Sequence, residues 1–226
     1  IYTGAPVTVS LPNVDSAATG VDFELTRADA TVNVTAVDSN GDQLQDIFGF
    51  AFIDQGGAAG MGGPMMMGPG LGGPVDGGSG SFKVPSSMCP ASSPCNVNIG
   101  MPPGEGAQYS SAGAVSFSLT TNGTSNVNVL MVPNNATISG HIVDSDGVTI
   151  TGVEAMVFAD NFENMSFAET RVNSADGSYS LTVAPGDFHM GYWVDPSLGY
   201  MVGGLSDNKV TAINDQTVTK NLTLSK

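Results

Sequence analysis

The chain is 226 residues long, 41% hydrophobic and only 12% charged, with six Lys and Arg against 21 Asp and Glu and a net charge of −15. Two domains of about 100 residues fit in that length, and the apolar content is enough to build their cores. So few cations argue against nucleic acid or an anionic membrane surface as a partner, and no apolar run reaches the roughly 20 residues that span a bilayer as a helix.

Residues 1–27 contain TVSL and VDFEL (Val21–Leu25), which read as a β-hairpin. VDFEL is echoed by VNVLM (Val127–Met131) and KNLTL (Lys220–Leu224), each of which ends a longer segment. The hairpin therefore reads as an orphan, made of strands from a missing or neighbouring module. The chain shows no initiator Met and no basic-then-apolar leader, which predicts a removed signal peptide or excision from a longer chain.

Residues 28–133 form the first complete module. In ATVNVTAVD, Ala30, Val32, Val34 and Ala36 alternate with Thr31, Asn33, Thr35 and Val37, the period of a half-buried strand. A Gly-terminated turn follows, then a second strand in FGFAFID. The stretch Gly56–Gly80 is too long and Gly-rich for an ordinary loop. It reads either as an extended surface loop or as a patch in which Met61, Met65, Met66, Met67 and Leu71 bury against another subunit. A thioether copper(I) site lacks supporting His or Cys. Cys89 and Cys95, in a Pro- and Ser-rich loop spanning 89–95, have neither metal partners nor Cys-x-x-Cys spacing, and a structural disulfide is expected.

Residues 134–226 form the second module. Its opening ATISGHIVDSDG (Ala136–Gly147) repeats ATVNVTAVDSNG (Ala30–Gly41) at a displacement of 106, without a gap through Phe158 and Asp160. Turns at Asp176-Gly177 and Pro185-Gly186 divide the rest into short strands. The sequence thus predicts an all-β chain: two tandem Ig-like, transthyretin-like β-sandwiches preceded by an N-terminal β-hairpin. ATISGHIVDSDG, DGSYSLTVAPGDF and the closing NLTL resemble the carboxypeptidase regulatory-like domain, over roughly residues 134–226. The resemblance implies a non-catalytic module of secreted and surface proteins, with no family-wide active site to transfer.

Little in the chain points to chemistry. His141 falls on an outward strand position and His189 sits beside Met190; neither has a nucleophile motif nearby. Asp38, Asn40, Asp42, Asp144 and Asp146 are calcium candidates, but the distal bidentate Glu of a calcium loop is missing, and Asp and Asn also serve turn backbones. Trp193, Tyr179, Tyr192 and Tyr200 are the one aromatic cluster that a sugar platform would use. Lys220 and Asn221, with Lys83 in the first module, are the residues to test for a Lys–Asn crosslink. Five sequons, at Asn33, Asn122, Asn135, Asn164 and Asn221, are glycosylation candidates.

These observations predict a non-catalytic extracellular structural protein: the subunit of a filament built from copies of itself by head-to-tail β-strand addition. Val21, Phe23 and Leu25 mark the docking segment, and glycans are a further partner. No cofactor and no membrane insertion are expected. The alternatives are a stalk or adhesin fragment that binds carbohydrate or protein, and an accessory region of a secreted enzyme.

Overall fold

Within the described residues, the alternating apolar and polar segments that open the two modules are extended. The computed structural model describes residues 2–4, 25–54, 71–101, 108–163, 166–200 and 208–225. Two short strands come first, β1 (Tyr2–Gly4) and β2 (Leu25–Arg27). The first module follows with β3 (Ala30–Val37), β4 (Gly49–Asp54), β5 (Leu71–Val75), β6 (Ser79–Val84), β7 (Cys95–Gly100), β8 (Tyr109–Ser111), β9 (Val115–Phe117) and β10 (Thr124–Pro133). The second holds β11 (Ala136–Val143), β12 (Ala155–Asn161), β13 (Ser166–Arg171), β14 (Ser178–Val183), β15 (Gly186–Val194), β16 (Lys209–Ala212), β17 (Thr217–Thr219) and β18 (Leu222–Thr223). The chain is all-β; among the described residues the helical elements are two 3₁₀ turns, Ser86–Met88 and Pro196–Leu198.

Each module is a pair of sheets. In the first the strand orders are β6-β3-β10-β8 and β5-β4-β7-β9. In the second they are β14-β11-β17, with β18 also on β11, and β13-β12-β15-β16. Inward side chains fill the space between the sheets: Val32, Val34, Val97, Ile99, Val127 and Val129 in one module, Ile138, Ile142, Val157, Leu181, Phe188 and Met190 in the other. The two cores are separate clusters. Alternation of buried and half-buried residues along β3 and β11 is the sheet's period of two, with one face in the core and the other turned out.

The modules share their closure as well as their opening. In both, the last strand returns to lie parallel to the first: Thr124↔Thr31 through Leu130↔Val37 in one, and Thr137↔Thr217 and Ile142↔Leu222 in the other. The first closing strand is continuous. The second breaks between β17 and β18 at Lys220 and Asn221. There the Lys220 carbonyl occupies space over Gly140, where an added Cβ would come within 1.8 Å of the oxygen. That carbonyl accepts from the Tyr179 hydroxyl at 2.5 Å, Lys220 N–H donates to Ser139 at 2.8 Å, and His141 N–H donates to the Asn221 side chain at 3.0 Å.

At the N-terminus the described pairing is Tyr2–Gly4 against Leu25–Arg27, in the register Tyr2↔Arg27, Thr3↔Thr26, Gly4↔Leu25. The same register joins β8 to the end of β10: Tyr109↔Pro133, Ser110↔Val132, Ser111↔Met131. Leu25 and Met131 stand 106 residues apart, the displacement that relates β3 to β11. The β1–β2 ribbon therefore repeats the ribbon that leads out of the first module into the second. Val21 and Phe23 lie outside the described residues, as does TVSL.

The Gly56–Gly80 stretch is not wholly a loop. Its last part is strand β5, the turn at Gly77 and Gly78, and the start of β6. Glycine is required here rather than merely tolerated, because a Cβ on Gly72 would lie 1.9 Å from the Ala51 carbonyl oxygen. A strand without side chains shows no alternation, so the sequence pattern cannot reveal it. Pro74 is compatible with its place because β5 lies at the sheet edge. Leu71 packs against the core of its own module; Met61, Met65, Met66 and Met67 lie outside the described residues.

Cys89 and Cys95 are disulfide-bonded, with a Cα–Cα separation of 5.1 Å. Both are fully buried in the first core, and the Cys89 carbonyl accepts from Leu119 N–H at 2.7 Å. The disulfide closes the loop onto the first residue of β7, and the hydrogen bond from Leu119 ties that loop to the segment after β9. Replacing both cysteines with alanine is expected to lower the stability of the first module by about 2 kcal/mol, the scale for so short a loop, while the second module's unfolding transition stays in place in a denaturant titration.

Candidate functional site

The acidic turns are built around their own backbones. Asp38 accepts from Asn40 N–H at 2.8 Å and Asp42 N–H at 2.9 Å, and the Asn40 amide reaches its second oxygen at 3.3 Å. These bonds, that from Asp42 foremost, hold the Asp38 carboxyl below its usual range. The Asp144 carboxylate likewise accepts from Asp146 N–H at 3.0 Å and Val148 N–H at 2.8 Å. Asp42 and Asp146 thus enter through backbone N–H groups. Among the described residues no cluster of three His, Cys, Asp or Glu is placed to hold a metal ion.

The sequons differ in what their amides already do. Asn33, on β3, donates to Asn126 at 2.8 Å and accepts from Ser81 at 2.8 Å. The Asn135 amide nitrogen is engaged by Asn214 at 2.9 Å and Asp215 at 3.1 Å. Asn221 is exposed but tied through its oxygen to His141 N–H. Asn122 is exposed in the turn before β10, with φ 56. Asn164 lies outside the described residues.

The aromatic cluster is split by the pleat. Tyr179 and Tyr192 are in the second core and Tyr200 packs partly against it, while Trp193 is 48% exposed on the outer face. Beside it on that face are Met156, directly opposite, and Phe158, stacked on Phe167 at 6.3 Å. Lys220 and Asn221 are neighbours on one segment rather than facing across strands, and Lys83 donates to the Thr31 hydroxyl at 2.7 Å.

One titratable group escaped the sequence reading. Asp160, at the end of β12, lies opposite Phe167 of β13 and His189 of β15. It is 5% exposed, and burial pushes its carboxyl up to about 6, with His189 acting against the shift. The Phe162 ring lies 5.1 Å from the His189 imidazole. Asn161, Glu163, Asp187, Lys209 and Thr211 complete a shallow open groove here, where the Thr211 hydroxyl donates to Asp187 at 2.6 Å. His141, in contrast, is exposed on the outer face of β11. Asp160 was hidden because its repeat partner, Asp54, is an ordinary exposed strand-end acid.

The modules are joined close to this groove. Ser110 of β8 donates to the Asn134 side chain at 2.8 Å. Ser166 of β13 donates to Ser110 at 2.9 Å, a buried bond between the first module and the second. Asn134 N–H donates to the Gln108 carbonyl at 2.8 Å. Only Asn134 and Asn135 separate β10 from β11, so a two-residue linker and a hydrogen-bonded ribbon together hold the joint.

No protein-family model and no curated protein matches the chain. Among solved structures it is similar to the TIE protein of Bacillus anthracis, at 15% identity and a TM-score of 0.34, covering 87% of this chain and 34% of that one. A streptococcal ancillary pilin is similar at 15% identity and 0.38, covering 89% and 65%. The minor pilin of Streptococcus agalactiae is similar at 13% and 0.39, covering 87% and 96%. The chain thus spans about a third of the first and just under two thirds of the second. Likenesses of this size do not say what the chain does.

Asp160 gives the site a measurable signature. Its carboxyl is raised in the folded protein, so its ionisation opposes folding: the cost is absent below pH 4 and grows as pH rises through about 6. Asp160→Asn is expected to gain about 1–2 kcal/mol over the parent at pH 7.5 and nothing at pH 4, read as the difference between their denaturation curves.

Proposed function

We propose that the chain is a non-catalytic building block of an extracellular filament, assembled head to tail from copies of itself through β-strand pairing. One observation carries the reading: the β1–β2 ribbon has the register of the ribbon that joins the first module to the second. The same kind of ribbon that joins two modules within the chain is thus formed by Tyr2–Gly4 and Leu25–Arg27, and we extend that joint to a pairing between copies. A two-stranded ribbon alone is marginal in water, and strand edges seek pairing. A donor and a receiver that differ make a contact able to propagate.

Other features agree with this. A buried disulfide suits an oxidising compartment. Among the sequons within the described residues, Asn122, exposed in its turn, is the one best placed to carry a glycan. The exposed Trp193 beside Met156 favours a second reading, a stalk that presents a ligand-binding face.

Deleting residues 1–26 separates these readings. The expected product is soluble and folded, keeps both modules and forms no filaments by electron microscopy. Filament formation as efficient as that of the parent chain overturns the proposal.

A further inference from the structure

Resting on the second reading above, a module that presents a ligand-binding face, we infer what that face binds: the outer side of the β13-β12-β15-β16 sheet is a site for a neutral oligosaccharide of equatorially substituted pyranose rings.

Sheet register lays this face out in rows. Arg171, Met156 and Trp193 stand side by side across β13, β12 and β15, and Glu169, Phe158 and Gly191 form the next row. The third runs from Phe167 across Asp160 and His189 to Lys209 on β16. Successive rows lie about 7 Å apart along the strands, so the three cover about 14 Å, the length of a short oligosaccharide rather than of one sugar. An apolar strip runs down the middle. Trp193, 48% exposed, has Met156 opposite it, and the Phe158 ring stacks on Phe167 at 6.3 Å. Gly191 adds no side chain beside Phe158, so on the outer side of β15 none stands between Trp193 and His189.

The strip is not a by-product of the fold, because the first module lacks it. There Phe50 holds the place of Met156, and Gly100 that of Trp193. The Phe52 ring lies so close to Gly100 that an added Cβ would come within 2.6 Å of it. The first module folds its rings down onto the backbone; the second sets a tryptophan upright. A large aromatic surface left in water is unfavourable, and the charges around it define what covers it. Each border of the strip carries one acid and one cation: Glu169 and Arg171 on β13, Asp187 and Lys209 on β15 and β16. A charged ligand meets repulsion at both borders. A neutral one that both donates and accepts uses the carboxylates and the cations alike. A pyranose with equatorial hydroxyls has that form: its ring faces expose C–H groups to the aromatic strip, and its rim donates and accepts hydrogen bonds.

Trp193 is the one tryptophan of the chain, so its emission reports on this face alone. Titration of the full chain with cellopentaose and with N-acetylated chitopentaose is expected to give a saturable blue shift with at least one of them, and none with the open-chain polyol sorbitol. In calorimetry with the same oligosaccharide, Trp193→Ala should weaken binding roughly tenfold, and Trp193→Phe should recover part of the loss. Glu169→Gln should weaken it severalfold. No saturable shift with either oligosaccharide, an equal response to sorbitol, or calorimetric binding that Trp193→Ala leaves unchanged overturns the site. An emission shift that follows protein concentration without sugar assigns the face to contact between copies and overturns it as well. The same titration with a random heptapeptide mixture separates the two inferences. A shift with peptides alone overturns the sugar site and keeps a ligand-binding face; a shift with neither overturns both.

Discussion

The parallel pairing of each module's last strand with its first is the interaction on which the remaining structure depends. A parallel neighbour cannot be reached by a tight turn, so the chain must traverse the whole sandwich before it can close. When Val127, Val129 and Met131 dock beside β3, they complete a core that the intervening strands only partly enclose. The same docking delivers the chain to the end of the module from which the next one starts. Closure and connection are one event, and a module is finished only when its last strand arrives.

The joint follows from that geometry. Because β10 runs on past its pairing with β3, its final residues are free to take β8 on their other side. The ribbon so formed points at the next module, where Ser110 and Ser166 share a buried hydrogen bond. Buried polar groups of this kind cost stability if left unmatched, which ties the relative placement of the modules to the register of the ribbon. Two linker residues leave little slack. An array built this way transmits its geometry from module to module through strand register rather than through a flexible tether.

The second module departs from the first in the part that closes it. Its sheet holds a broken strand with a lysine in the inward row, while its outer face carries Trp193, the Phe158–Phe167 stack and the buried Asp160. Repetition of a fold need not repeat its chemistry. Asp54 and Asp160 share a register position, yet only Asp160 is enclosed, because Phe167 of β13 lies across from it. In the first module the strand at that edge is β5, and its described pairing with β4 ends at Ile53↔Leu71, one residue short of Asp54.

By itself the sequence determined the strand periodicity, the 106-residue repeat, the two-module plan and the turns at Asp38 and Asp144. Each of these is local or self-referential: alternation follows from the pleat, and Asp-containing turns are closed by their own backbone. The tertiary structure alone decided which acid is buried, which of Tyr192 and Trp193 faces out, that the segment from Leu71 to Val75 forms an edge strand, and that the pairing of Tyr2–Gly4 with Leu25–Arg27 repeats the register of the inter-module joint. Those features depend on what lies opposite a residue in a neighbouring strand, and that partner is set by sheet register between segments distant in the chain.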